Sequence, residues 1–161
     1  FGVFKNTVAN GGLVRGVRYP GGSQLSRKEV SQLEDFCKEF GAKGMASLSV
    51  EKGIEDAYVA TNGLSVKGSF AKFLKPEEIE EILKISHAEE GDLLCFIADS
   101  YGVCNNVLSR LRLLIGDRCK LRDPRKLKYC SLLDNPLLER NEDDHRWDAT
   151  HHPITAPSPT R

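Results

Sequence analysis

The sequence predicts an α+β fold: a two-layer sandwich with helices on one face of a mixed or antiparallel sheet. Three observations predict it. Residues 93–98, Leu-Leu-Cys-Phe-Ile-Ala, are apolar without interruption, as a buried central strand requires. Residues 30–40 and 104–115 carry apolar side chains at helical spacing. Short alternating runs bounded by glycine, proline and asparagine lie between them and read as strands. The resulting order is strand, helix, strands, helix, strand, helix.

Taken in order, Val3, Phe4 and Val8 start a strand or pack a short lead-in. Asn10-Gly11-Gly12 is a turn signal. Residues 13–19 alternate as a strand does, and Pro20-Gly21-Gly22 ends it. That glycine-rich loop lacks a GxxxxGK or GxGxxG arrangement, so it is not read as a phosphate cradle. Ser26-Arg27-Lys28-Glu29 is a capping box. Val30, Leu33, Phe36, Cys37 and Phe40 follow on one helical face, and Gly41 is the stop. Residues 45–50 read as a strand; residues 57–61 and 66–71 are shorter candidates around Asn62-Gly63.

Lys75-Pro76-Glu77-Glu78 opens a second helix, with carboxylates at the positive end of its dipole. Ile79, Ile82, Leu83 and Ile85 supply its apolar face, and His87 is a helix-end residue. A third helix carries Cys104, Val107, Leu108, Leu111, Leu114 and Ile115 on one face, with Gly116 at its end. Basic residues then crowd around Pro124, from Arg118 to Lys128. This charged stretch reads as a solvated hinge, with contact to nucleic-acid phosphates as the alternative, and divides the chain into domains 1–121 and 122–161. Residues 127–138 read as one further strand belonging to the second domain.

The 161 residues suffice for one domain, or for one domain and a piece of another. Twenty-three basic and twenty-three acidic side chains cancel, which argues against nucleic-acid binding through the global field and leaves local patches open. The five cysteines form no CxxC pair, and four lie in apolar or amphipathic runs. Reduced structural thiols and a cytoplasmic location are expected. No apolar run reaches membrane-spanning length, so no membrane partner is expected. Phe1 at one end and Ser158-Pro159-Thr160-Arg161 at the other read as cut ends of a longer protein.

The chemistry-bearing residues gather at the C-terminal end. Residues 141–157 hold His145, His151, His152, Trp147 and several carboxylates. These are suitable metal-ligand types, but their spacing matches no recognised metal pattern, and no metal site is assigned. Pro153 biases His152 towards extended backbone. Adjacent histidines on extended chain point to opposite sides. The acidic run 139–148 is expected as a solvated loop, and Trp147 as a packing anchor. No Ser-His-Asp or Cys-His constellation is present, so no catalytic residue is assigned. Lys43 and Lys72 have no acid–base partner nearby in sequence.

The segment Ala149-Thr150-His151-His152-Pro153-Ile154-Thr155-Ala156-Pro157 resembles the HHPFTxP segment of bacterial-type aspartyl-tRNA synthetases, which are class II enzymes. Asp134-Asn135-Pro136-Leu137-Leu138-Glu139 resembles that family's DFPLFE. The likeness continues through Gly41-Ala42-Lys43-Gly44 and Ala71-Lys72-Phe73-Leu74, and residues 1 to about 121 resemble the GAD domain inserted in these enzymes. It departs at Ser131, Asn135 and Ile154, where the family carries large aromatics.

The resemblance implies part of an aspartate–tRNA ligase, with residues 122–161 a fragment of its class II catalytic domain. It implies that His151 contacts the substrate L-aspartate, with His152 in the same site. It further implies ATP and Mg2+ as the parent's cofactors, tRNA-Asp as its partner and a homodimeric parent. The motifs that would hold ATP are absent from these residues, so the isolated fragment is expected to be inactive. The alternative is a non-catalytic GAD-like binding module, as in a glutamyl-tRNA amidotransferase subunit. The HHPITAP tail discriminates, because the amidotransferase is not expected to carry it.

Overall fold

The protein is described from a computed structural model covering residues 1–52, 58–59, 63–131, 133, 136–141 and 144–150, with backbone alone at 58–59. The chain divides into two compact units, Phe1–Asp123 and Pro124–Arg161.

In the first unit the elements run α1 (Gly2–Ala9), β1 (Leu13–Tyr19), α2 (Arg27–Glu39), β2 (Ala46–Lys52), β3 (Tyr58–Val59), β4 (Leu64–Gly68), α3 (Pro76–Ser86), β5 (Leu93–Asp99) and α4 (Tyr101–Arg118). The strands form one sheet in the order β1-β5-β2-β4-β3, antiparallel at every pairing. The apolar run 93–98 lies near its middle: Leu13 pairs with Asp99 on one side, and Ala46 with Phe96 on the other.

Alternate residues of a strand face opposite sides, so an uninterrupted apolar strand has two apolar faces to cover. Leu93, Cys95 and Ile97 join Leu33 and Cys37 of α2 and Val107, Leu111 and Ile115 of α4. Leu94 turns the other way, onto Leu48, Val50 and Val66 of the sheet and Ile79 and Leu83 of α3. The expectation of two layers with helices on one face is thereby corrected to three layers with helices on both. Each fully buried Leu or Ile contributes about 1.5–3 kcal/mol, and both cores contain several.

Residues 2–9 form a helix rather than a strand. Phe1 and Phe4, one helical turn apart, meet at 4.9 Å between ring centroids and extend into Phe70 and Phe96. The capping box of α2 is present: the Ser26 N–H donates to Glu29 Oε2 at 2.8 Å, and the Glu29 N–H donates to Ser26 Oγ at 3.3 Å. At the start of α3 the Lys75 N–H donates to Glu78 Oε2 at 2.8 Å. His87 caps the other end in the left-handed region, at φ 48°. The third predicted helix, α4, runs past Gly116 to Arg118; its buried Ile115 holds the last turn against the core. The strand expected over 66–71 ends at Gly68, where a Cβ would stand 2.1 Å from the Ser47 carbonyl oxygen. Ala71–Phe73 turn as a short 3-10 segment instead.

The second unit contains β6 (Leu138–Asn141) and β7 (Arg146–Ala149), an antiparallel pair. Among the described residues of 127–138, strand begins only at Leu138. The acidic stretch expected as a loop instead supplies both strands. At the bend His145 adopts φ 52°, and the Asp144 N–H donates to Asn141 Oδ1 at 3.2 Å.

Candidate functional site

The hairpin joins the two C-terminal segments that carry the sequence resemblance. Leu138 pairs with Ala149 and Glu139 with Asp148, so Pro136-Leu137-Leu138-Glu139 lies beside Ala149-Thr150. Thr150 is tied on both its groups: its N–H donates to the Leu137 carbonyl at 3.1 Å, and its hydroxyl donates to the Pro136 carbonyl. Asp148 is braced both along β7 and across the hairpin. Arg146 Nε stands 2.9 Å from Asp148 Oδ1, and Asn141 Nδ2 donates to Asp148 Oδ2 at 3.0 Å. The described backbone of the hairpin is thus held as far as Thr150. His151 and His152 lie outside the described residues, as do Pro153 and Ile154. His145 is exposed at the bend, and Trp147, expected as a packing anchor, is 67% exposed on β7.

In the first unit the most constrained polar group is Asp92, whose side chain is only 4% exposed. Its Oδ2 lies 2.6 Å from Arg18 Nε and accepts the Glu89 N–H at 2.8 Å; its Oδ1 accepts the Gly21 N–H at 3.2 Å. Arg18 also donates to the His87 carbonyl and pairs with Glu89 at 3.2 Å. A guanidinium at this helix C-terminus meets the negative end of the dipole. The cluster ties β1, the end of α3 and the loop before β5 together. Sequence reading missed it because nothing local links residue 18 to residue 92; the β1–β5 register creates the contact.

Lys43, without a partner in the sequence reading, stands with Nζ 3.7 Å from Asp99 Oδ2. Its side chain is largely solvent-facing, and no nucleophile accompanies the pair among the described contacts. Lys72 lies over the Phe73 ring at 5.1 Å. The basic residues of 118–128 are exposed, and Arg122 closes back onto Asp117. All five cysteines are free thiols. Burial pushes Cys37 up to about 11 and Cys95 up to about 12, and it also raises Cys104. Such thiols are poor nucleophiles at neutral pH.

A family model described as the GAD domain matches residues 4–108, the span from α1 into α4. The chain belongs to the GAD domain family. Its relatives extend the likeness beyond the GAD domain into the second unit. The chain is 40% identical over 157 residues to the aspartate–tRNA ligase of Ruminiclostridium cellulolyticum, covering 98% of this chain and 25% of that one. It is 40% identical over 157 residues to the aspartate–tRNA(Asp/Asn) ligase of Persephonella marina, covering 98% and 24%. The corresponding ligase of Symbiobacterium thermophilum is 40% identical over 159 residues, covering 99% and 25%. The chain thus spans about a quarter of the length of the curated relatives it matches. No helix among the described residues is long and apolar enough to cross a membrane.

Proposed function

We propose that this chain is part of an aspartate–tRNA ligase: a GAD insertion domain over 1–121 followed by a fragment of a class II catalytic domain over 122–161. The parent activates L-aspartate with ATP to aspartyl-adenylate and transfers it to tRNA-Asp. It works in the cytoplasm as a homodimer. What supports this reading is the 40% identity that runs through both units rather than through the GAD domain alone. A free-standing GAD module, the competing reading, leaves the likeness of the second unit unexplained.

In this reading His151 and His152 help to position the amino acid, and Thr150 is the last fixed point before them. Its two contacts, to the Pro136 and Leu137 carbonyls, hold the residue that precedes the histidine pair in sequence. A protonated imidazole there donates a charge-assisted hydrogen bond to a carboxylate. Among the described residues no three His, Cys, Asp or Glu side chains gather as a metal would require. In this reading Mg2+ and ATP are held by other residues of the parent, and the GAD domain is a non-catalytic insertion.

The test is aspartate-dependent ATP–pyrophosphate exchange. The intact parent catalyses it, whereas the isolated chain does not. In the parent, His151→Ala lowers kcat/KM for aspartate by about tenfold or more, equivalent to about 1.4 kcal/mol of transition-state binding. Exchange by the isolated chain, or full activity in a His151→Ala, His152→Ala parent, would sink the assignment.

A further inference from the structure

The sheet of the first unit ends at β1. Among the described residues β1 pairs only with β5, so its outer edge is unpaired. Such an edge presents a row of backbone donors and acceptors. It is flanked by two grooves, and only one of them carries paired arginines.

On the α3 side lies an apolar groove of about 550 Å3 whose walls include Phe4, Phe96, Leu94, Ile82 and Ile85. Ile85 is 72% exposed. Gly16 sits at the middle of the strand, and a Cβ there would come 2.9 Å from the Phe96 ring. Its missing side chain leaves that ring bare as the groove floor. Arg18, fixed by Asp92 and Glu89, contributes a polar wall.

On the α4 side a second groove of about 350 Å3 is lined by Val17 and Leu108 together with Arg15, Asn105, Ser109 and Arg112, with no carboxylate among its lining residues. Arg15 is held in place by Asn105 and lies over the Tyr101 ring at 5.1 Å. Successive side chains of an added strand fall alternately into the two grooves. The grooves therefore ask for different chemistry at alternate positions. A second copy of β1 does not supply it, because residues 13–19 carry two arginines and no carboxylate.

We propose that the free edge of β1 is a strand-addition site for an extended peptide segment of a partner protein, apolar on the α3 side and acidic on the α4 side. This is independent of the ligase reading.

The probe is a fluorescein-labelled peptide of alternating valine and glutamate, titrated into the full chain by fluorescence anisotropy. Three controls accompany it: alternating valine and lysine, the same composition in two blocks, and the acidic peptide N-methylated at alternate amides. The acidic alternating peptide binds at least about tenfold more tightly than any control, and Arg112→Glu and Ile85→Asp each weaken it by about tenfold. Both positions are exposed, and unchanged circular dichroism confirms that each variant folds. Backbone amides of 13–19 gain hydrogen-exchange protection in the complex. Absence of binding, equal binding of the blocked or N-methylated peptide, or protection elsewhere with β1 unchanged would each overturn the proposal.

Discussion

The strands β5 and β6 make an instructive pair. Both carry leucine, yet Leu94 is buried between sheet and helix while Leu138 on β6 is half exposed. The difference lies in what surrounds each strand. β5 has a strand on either side and helices over both faces. β6 has one partner, β7, and no helix follows in its unit among the described residues. Tyr129, Leu133, Leu137 and Trp147 are exposed alongside it. An isolated two-stranded hairpin is marginal in water. The lesson is that a strand's own residues do not make a core; the second unit carries apolar side chains whose burial requires further structure.

Substitutions sharpen this contrast. The largest effect is expected in the sheet, where Ile97→Ala costs about 2–5 kcal/mol of stability in urea denaturation. The Arg18–Asp92 pair comes next. Removing one partner strands the other, and Asp92→Ala costs about 3 kcal/mol, since two backbone donors also lose their acceptor. The capping-box variant Ser26→Ala costs about 1 kcal/mol. In the hairpin, Asp148→Ala breaks an exposed ion pair and costs below about 1 kcal/mol, and Trp147→Ala changes stability by less than about 0.5 kcal/mol. If Trp147→Ala matched Ile97→Ala, the hairpin would have a core of its own and the contrast would fail.

The thiols provide a chemical version of the same comparison. Cys130 of the second unit is exposed, whereas Cys37, Cys95 and Cys104 of the first are buried. Alkylation of the native chain at pH 8, followed by peptide mass mapping, should label Cys130 first and leave these three unmodified. The pH dependence has a definite sign. Folded Cys37 and Cys95 stay protonated to about 11 and about 12, while unfolded thiols ionise near 8.5. Stability is therefore lost as pH rises above about 9, because the unfolded state then binds fewer protons. A Cys37→Ala, Cys95→Ala variant should show a flatter alkaline limb.

Much of this was legible in the sequence, because the signals were local. The Ser26–Glu29 box, the proline start of α3, the helical spacing of Leu33 to Cys37 and the uninterrupted run 93–98 each fit one element. What stayed hidden depended on pairing between distant segments. Nothing near residue 18 names Asp92, and nothing near Lys43 names Asp99; strand register and loop closure supply both. The second helical layer was implicit in the two-faced run of β5 but was not drawn from it. Phe1 and Phe4 gave a helix only because Phe70 and Phe96 receive them. At the C-terminal end the motif Pro136–Glu139 was readable, whereas its alignment beside Thr150 came from a hairpin concealed in a run of charges.

The strand order of the first unit has a consequence for synthesis on the ribosome. β5, which joins β1 to β2, is the last strand of the sheet to be made. Until it emerges, β1 has no neighbour to pair with, and the early helices have only part of the surface they cover. Local pairing of β2 with β4 can form beforehand, but the layers assemble only after residue 99 has left the exit tunnel. Folding of this unit is thus a late, long-range event, and a translational pause before β5 would prolong exposure of the free edge of β1.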